Sequence, residues 1–208
     1  MLFRSDDALE LEREYSAAAL ATDTTLYAAA NVITPAGAWG TSGVNPLVDT
    51  EAARNAIRAK IGRFPNQCVF SPTAWQIFIN NDQIKDVIKY TQIGIMTEEL
   101  AARLLRVDKV SVGNMVFGTG SGGGVDEADL TMGNIWEQNA TTGNCVVFAW
   151  VGSGWGVPSY GYTYNLQGYP LVTSYRWEII KSQLYDSQQN YNVAITKVDA
   201  GAIIKTIS

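Results

Sequence analysis

Histidine is absent from this chain of 208 residues. That absence removes Ser-His-Asp and Cys-His nucleophilic sites, histidine general bases and nearly every common zinc centre. Carboxylate or lysine chemistry is what remains for an enzyme. Cysteine is scarce: Cys68 and Cys145 sit in the apolar runs CVF and CVVFAW and read as small buried hydrophobes. One disulfide between them stays open; a disulfide framework does not. No apolar run approaches the ~20 residues that span a bilayer as a helix, so no membrane partner is expected. The opening MLFRSDDALELERE turns acidic without a secretory apolar stretch, which points to a cytosolic setting. Basic charge is also short, with 15 Lys and Arg against 20 Asp and Glu and a formal net charge of −5. Such a chain lacks the field that draws nucleic acid by counterion release, and sequence-specific nucleic-acid binding is not expected.

What is present suits a globular chain, 47% hydrophobic and 17% charged. A chain of this length buries roughly 70% of its unfolded surface and makes one large domain or two small ones. Residues 5–22 read as an alanine-rich helix, with Asp7 and Glu10 spaced as a capping box and Leu11, Tyr15 and Ala18 on one face. Residues 23–48 lose that period and read as a connector. A second helix is expected from Asp49 or Thr50, with Ala53, Ile57 and Ile61 inward and Gly62 as a left-handed cap. QCVF reads as a strand. Ser71-Pro72 then starts a helix with Trp75, Phe78 and Ile79 on its buried face. Further helices are expected at Asp82, with Ile84, Val87 and Ile88, and after Thr97, with Leu100, Leu104 and Leu105 inward.

After Arg106 the pattern turns strand-like. KVSVGNMVF, NCVVFAWV and the segment from Thr173 to Ile207 are rich in β-branched and aromatic residues. Tyr191–Ile195 and Ala202–Ile204 read as two strands parted by a turn at Asp199-Ala200-Gly201. Helices early and strands late make the chain α+β.

Three patterns invite a functional reading. Gly118, Gly120 and Gly123 spell G-x-G-x-x-G after a strand. A dinucleotide site needs a helix next, whose N-terminal amides meet the phosphates. Here Asp126, Glu127 and Asp129 follow instead and would repel a phosphate, so the run reads as a loop. Those three acids present carboxylates for a metal but lack the full calcium-loop pattern, and read as a solvated face. Trp136, Trp150 and Trp155, with Tyr160, Tyr162 and Tyr164 alternating on an extended segment, offer a stacking platform for sugars or bases. The alternative is a core or subunit contact, since an aromatic stripe needs cover. Asn139-Ala140-Thr141 is formally a glycosylation acceptor, without weight in a chain with no secretory signal.

The order of several segments carries a resemblance. AWGTSGVNPLVD, GRFPNQCVFSPTAWQIFINNDQIKDVIKYT, MTEELAARLLRVDKVSVGNMVF, GNIWEQNATTGNCVVFAWV, VPSYGYTYN and DSQQNYNVAITKVDAGAIIKTI follow one another as in the tailed-phage major capsid proteins with the Hong Kong 97-type shell fold. From LELEREYSAAAL to the C-terminus, nearly the whole chain resembles that family. The resemblance implies a peripheral domain from residues 1–49 and 173–201, with a spine helix at about 5–24 and the late strands. It implies a mixed axial domain from residues 50–172 plus about 202–208, with the glycine run as a surface loop.

The family's N-terminal arm and extended hairpin, which clasp neighbours ahead of the spine helix, have no counterpart here. A truncated chain or a prophage remnant is therefore expected, and no residue is assigned to the covalent cross-linking known in some relatives. The implied function is a non-enzymatic head protein of a tailed phage or prophage, without cofactor, catalytic or metal site. It would self-assemble into pentamers and hexamers of an icosahedral shell enclosing DNA, in the host cytoplasm, with portal and scaffold or protease proteins as partners. An encapsulin-like compartment shell is the related alternative; a carboxylate- or metal-dependent enzyme using Asp126, Glu127 or Asp129 is the alternative of another class.

Overall fold

The computed structural model describes residues 3–89, 96–119, 131–154, 157–179, 181–205 and 207. At its centre lies a five-stranded mixed sheet in the order β1 (Val32–Ile33), β11 (Gly201–Lys205), β6 (Cys145–Ala149), β2 (Gln67–Phe70), β3 (Lys109–Val112). β6 runs antiparallel to both its neighbours, while β1 and β3 run parallel to β11 and β2. Both faces of the sheet are covered, which is why CVVFA and GAII are buried without alternation. Val146, Phe148, Ala202 and Ile204 join Phe70, Ala74, Phe78, Ile57 and Trp39 in the main core. Cys145, Val147 and Ile203 face the other way, onto Tyr27, Trp136 and Tyr160. The two cysteines thus belong to opposite faces, and both are free thiols. The disulfide left open by the sequence does not form.

The helices begin where side chains supply caps. α2 (Pro46–Ile61) starts three residues before the expected Asp49, because Asn45 accepts from the Leu47 N–H at 3.0 Å and Pro46 fills the first turn. Asp49 instead accepts from the Trp39 indole at 2.8 Å. Gly62 closes α2 at φ 72°, as its position in the sequence implies. Ser71 accepts from the Ala74 N–H at the start of α3 (Pro72–Asn80), and Thr97 from Leu100 at the start of α5 (Glu98–Leu105). α4 (Asp82–Lys89) buries Ile84 and packs Ile88, while Val87 stays exposed. Asn81 joins α4 to the Trp39–Val44 loop: its amide donates to the Trp39 and Val44 carbonyls while its oxygen accepts from the Gln83 N–H.

α1 (Phe3–Ala21) begins before Asp7, so Asp7 lies inside the helix and is no N-cap. The expected connector at 23–48 contains β1, which extends the sheet beside β11. KVSVGNMVF divides into β3 and β4 (Val116–Thr119), the latter paired antiparallel with β5 (Thr131–Asn134). β10 (Tyr191–Ile195) and β11 are parted by a 3₁₀ turn at Val198–Ala200, as the sequence suggests, but do not pair with each other. β10 pairs antiparallel with β7 (Gly161–Asn165), and between them β8 (Leu171–Trp177) and β9 (Ser182–Gln188) form a ribbon of their own. The boundary expected near residue 172 falls inside β8.

Candidate functional site

Among the described residues, no site of converging ionisable groups organises the molecule. Among the described residues, no cluster of three or more Cys, Asp or Glu is placed to hold a metal. Asp126, Glu127, Asp129 and Gly120 through Gly124 lie outside the described residues. Gly118 lies in β4 opposite Met132 of β5. Phe117 of the same strand meets the Tyr15 ring of α1 edge-on at 5.3 Å.

What the fold builds is an outer face in two parts. The first is the junction between α1 and the sheet. The Trp136 indole donates to Glu14 at 3.0 Å and the Gln138 amide to the Tyr15 carbonyl at 3.3 Å. Asn139 and the Thr142 hydroxyl both donate to the Thr22 carbonyl, at 3.1 and 2.6 Å, satisfying acceptors that a helix end leaves free. Asn139 is thus engaged in capping α1. α1 is held along one side by polar contacts, with only Ala18 and Ala21 buried among its described apolar side chains.

Tyr160 enters this junction too. Its ring stacks on Tyr27 at 5.9 Å, and it lies so close to Gly201 that a Cβ there would collide with it. The alternating tyrosines therefore do not form one platform. Tyr160 is drawn into the second core because glycine at 201 leaves space for its ring. Tyr162 and Tyr164 remain together, with ring centres 6.1 Å apart, and the Tyr162 hydroxyl donates to the Val157 carbonyl at 2.8 Å. Trp136 fills the junction and its indole ring occupies the space a side chain on Gly113 would need. Trp150 lies beneath the Arg63 guanidinium, 5.2 Å from its ring centre, and Trp155 is outside the described residues. A sugar platform built from all six aromatics is not what the chain forms.

Burial sets the titration of this junction. The Tyr27 hydroxyl is pushed well above its ordinary value by desolvation, then by its neighbour Tyr160. Tyr160 is raised by burial to about 12. The Cys145 thiol is raised by burial to about 12. At the edge of the sheet, burial would raise Glu137, but hydrogen bonds from Asn134, Thr73 and Ser71 outweigh it and hold its carboxyl below the usual range.

The second part is the β8–β9 ribbon. Every residue of β8 is exposed, including Leu171, Val172, Tyr175 and Trp177. Ile179 at the tip is 84% exposed. Sequence reading placed strands here but not an uncovered apolar ribbon, because alternation alone does not say whether a face has a neighbour.

No protein-family model matches the chain. Its fold is shared with the crystal structure of a phage-related protein of Bordetella bronchiseptica RB50, at a TM-score of 0.87 and 26% identity over 99% of this chain and 66% of that one. The chain is thus a relative of phage-associated proteins. In sequence it is homologous to the major capsid protein of Burkholderia phage BcepMu, 30% identical over 211 residues, spanning 97% of this chain and 64% of that protein. It covers just under two thirds of the length of either. Among the described residues no helix is long and apolar enough to cross a membrane.

Proposed function

We propose that the chain is the shell-forming part of a tailed-phage or prophage head. Copies assemble into pentamers and hexamers of an icosahedral container for DNA, in the cytoplasm of the bacterial host. The observation that carries this reading is the homology to a phage major capsid protein across 97% of the chain. The uncovered β8–β9 ribbon supports it, since an apolar surface of that kind asks for a neighbour.

In this reading the molecule has a peripheral part and an axial part. α1, residues 1–49 and the strands from 173 to 201 form the peripheral part; residues 50–172 with about 202–208 form the axial part. In this division β7 (Gly161–Asn165) of the axial part pairs with β10 of the peripheral part. The chain performs no catalysis. Its acidic balance keeps the inner wall from adhering to packaged DNA. Portal and scaffold or protease proteins of the same phage are its expected partners.

Sedimentation velocity over a range of concentrations tests the assembly. The expected result is a concentration-dependent shift from monomer to species of five or six copies. A single monomer boundary at every concentration would overturn self-assembly by this chain.

A further inference from the structure

Cationic charge is scarce on this chain and unevenly placed. Arg58, Lys60, Arg63, Arg103, Arg106 and Lys109, all exposed, surround the C-terminal ends of α2 and α5 and the start of β3. These ends adjoin one another. The Arg54 guanidinium donates to the Arg106 carbonyl at 3.5 Å, and the Asp108 and Lys109 N–H groups donate to the Asn66 carbonyl at 2.8 and 3.2 Å. The acids among them are Glu51 and Asp108. Glu51 is already shared, by Arg54 at 2.8 Å and Arg106 at 3.8 Å. Arg58, Lys60, Arg63, Arg103 and Lys109 enter no ion pair among the described residues.

Basic side chains in a last helical turn offset the negative end of the helix dipole, which accounts for Arg58, Lys60 and Arg103. It does not account for the rest. Arg54 and Arg58 lie over the exposed Phe64 ring at 4.8 and 5.2 Å, and Arg63 lies over Trp150 at 5.2 Å. The rings hold these guanidinium groups in place, so they have less freedom to lose when a carboxylate docks. Arg106 closes α5 at φ 54°, a left-handed conformation that favours glycine, while its side chain is 74% exposed. Its ion pair, long and exposed, offsets little of that strain.

An acidic counterpart lies across the molecule. α2 and α5 pack on one face of the sheet, where Ile57 and Leu105 enter the main core. α1 packs on the other face, where Leu20 and Ala21 line a gap with Val69 and Val147. Glu14 accepts from Trp136, whose ring lies against Gly113, beyond the end of β3 remote from Lys109. Glu10 and Glu12, nearer the start of α1, are exposed. Arg13 reaches Glu10 only at 3.9 Å, and Glu12 enters no ion pair among the described residues. The cationic and acidic surfaces of one chain therefore sit on opposite faces of the sheet and toward opposite ends of β3. They meet only between copies.

We propose that the Arg58–Arg106 surface of one copy receives the Glu10–Glu12 stretch of α1 from a second copy. The proposal rests on the shell reading above and names one contact between neighbouring subunits. Complementary charge on opposite sides of one chain selects a second copy as the occupant. The contact is heterologous, so repetition closes a ring when the rotation per copy allows it. Exposed charges of this kind orient the partners and are screened by salt.

Sedimentation velocity tests the contact on Arg58→Glu with Arg106→Glu, on Glu10→Lys with Glu12→Lys, on all four changes together, and on Arg106→Gly. At low salt each double variant is expected to raise the concentration for half-association about tenfold. An equimolar mixture of the two double variants associates like the wild type, because each supplies the charge the other has lost. The quadruple variant does the same. Arg106→Gly melts no lower than the wild type, since glycine suits the left-handed site, yet associates about threefold more weakly. That variant carries the test if the reversed arginines unfold the chain. Assemblies that survive both double variants overturn the contact and leave the shell reading standing. Loss in the arginine variant alone, with duplex DNA bound by the wild type and not by that variant, assigns the surface to nucleic acid and likewise overturns it. A wild type that stays monomeric at every concentration in low salt overturns both.

Discussion

The hydroxyls of Tyr27 and Tyr160 meet at 2.5 Å across 133 positions of sequence. The Tyr27 hydroxyl also lies 2.7 Å from the Ala21 carbonyl, which can only accept. Its single proton therefore goes to Ala21, and Tyr160 donates to the Tyr27 oxygen. The relay binds the end of α1 to the segment that enters β7. Tyr27→Phe strands a buried donor on Tyr160 and removes the partner of Ala21; Tyr160→Phe removes only the donor to Tyr27. Denaturant titration should show Tyr27→Phe as the costlier change, about 2 kcal/mol against about 1 kcal/mol.

The same pair sets the alkaline limit. Both hydroxyls titrate higher in the folded chain than the ordinary value of 10.0, Tyr160 at about 12. A raised folded value gives stability that is complete below pH 10 and lost as pH rises toward 12. Melting temperature should fall across that window, and less steeply in the Tyr27→Phe, Tyr160→Phe double variant. An unchanged slope would remove the relay as its source.

Glu137 acts in the opposite direction. Its carboxyl is held low, so its contribution is present above the ordinary value of 4.5 and fades as pH falls through the folded value. Half-exposed, it contributes only about 1 kcal/mol through its bonds to Thr73 and Asn134. Glu137→Gln should flatten the acid limb of a stability–pH profile while leaving the alkaline limb unchanged.

Cys68 and Cys145 are buried on opposite faces of the sheet, and burial raises both thiols. The thiolate is the reactive form. A thiol reagent at neutral pH should modify neither in the native chain and both once denaturant unfolds it. Rapid native labelling of either would contradict the burial of both faces of the sheet.

Gly201 and Tyr160 occupy shared space. Gly201→Ala sets a methyl group against the Tyr160 ring and should cost roughly 1–3 kcal/mol by overpacking. Combining it with Tyr160→Ala, which vacates the space, should make the second substitution cheaper than it is alone, as a double-mutant cycle reads.

Much of this fold is legible in the residues. Ser71-Pro72, Thr97 and Gly62 mark helix ends by local chemistry, and the structure uses each of them. Asn45-Pro46 carries the same kind of signal for α2, yet the acids at 49 and 51 draw attention to a later start. The apolar run of β6 identifies a strand without revealing that both its faces are covered, because only tertiary packing decides that. Tyr160 differs from Tyr162 and Tyr164 for a reason 41 positions away, the missing side chain at Gly201. The β8–β9 ribbon was the least legible part. The strand-like composition of the segment from Thr173 identifies strands, and only the folded chain leaves β8 exposed along its whole length.

In the proposed function, copies of this chain build a closed shell from one another. Electron microscopy of particles formed by the purified chain reads this out. Class averages with five-fold and six-fold symmetry, in curved sheets or closed shells, are the expected result. Particles of monomer size alone, at concentrations where light scattering reports no larger species, would contradict it.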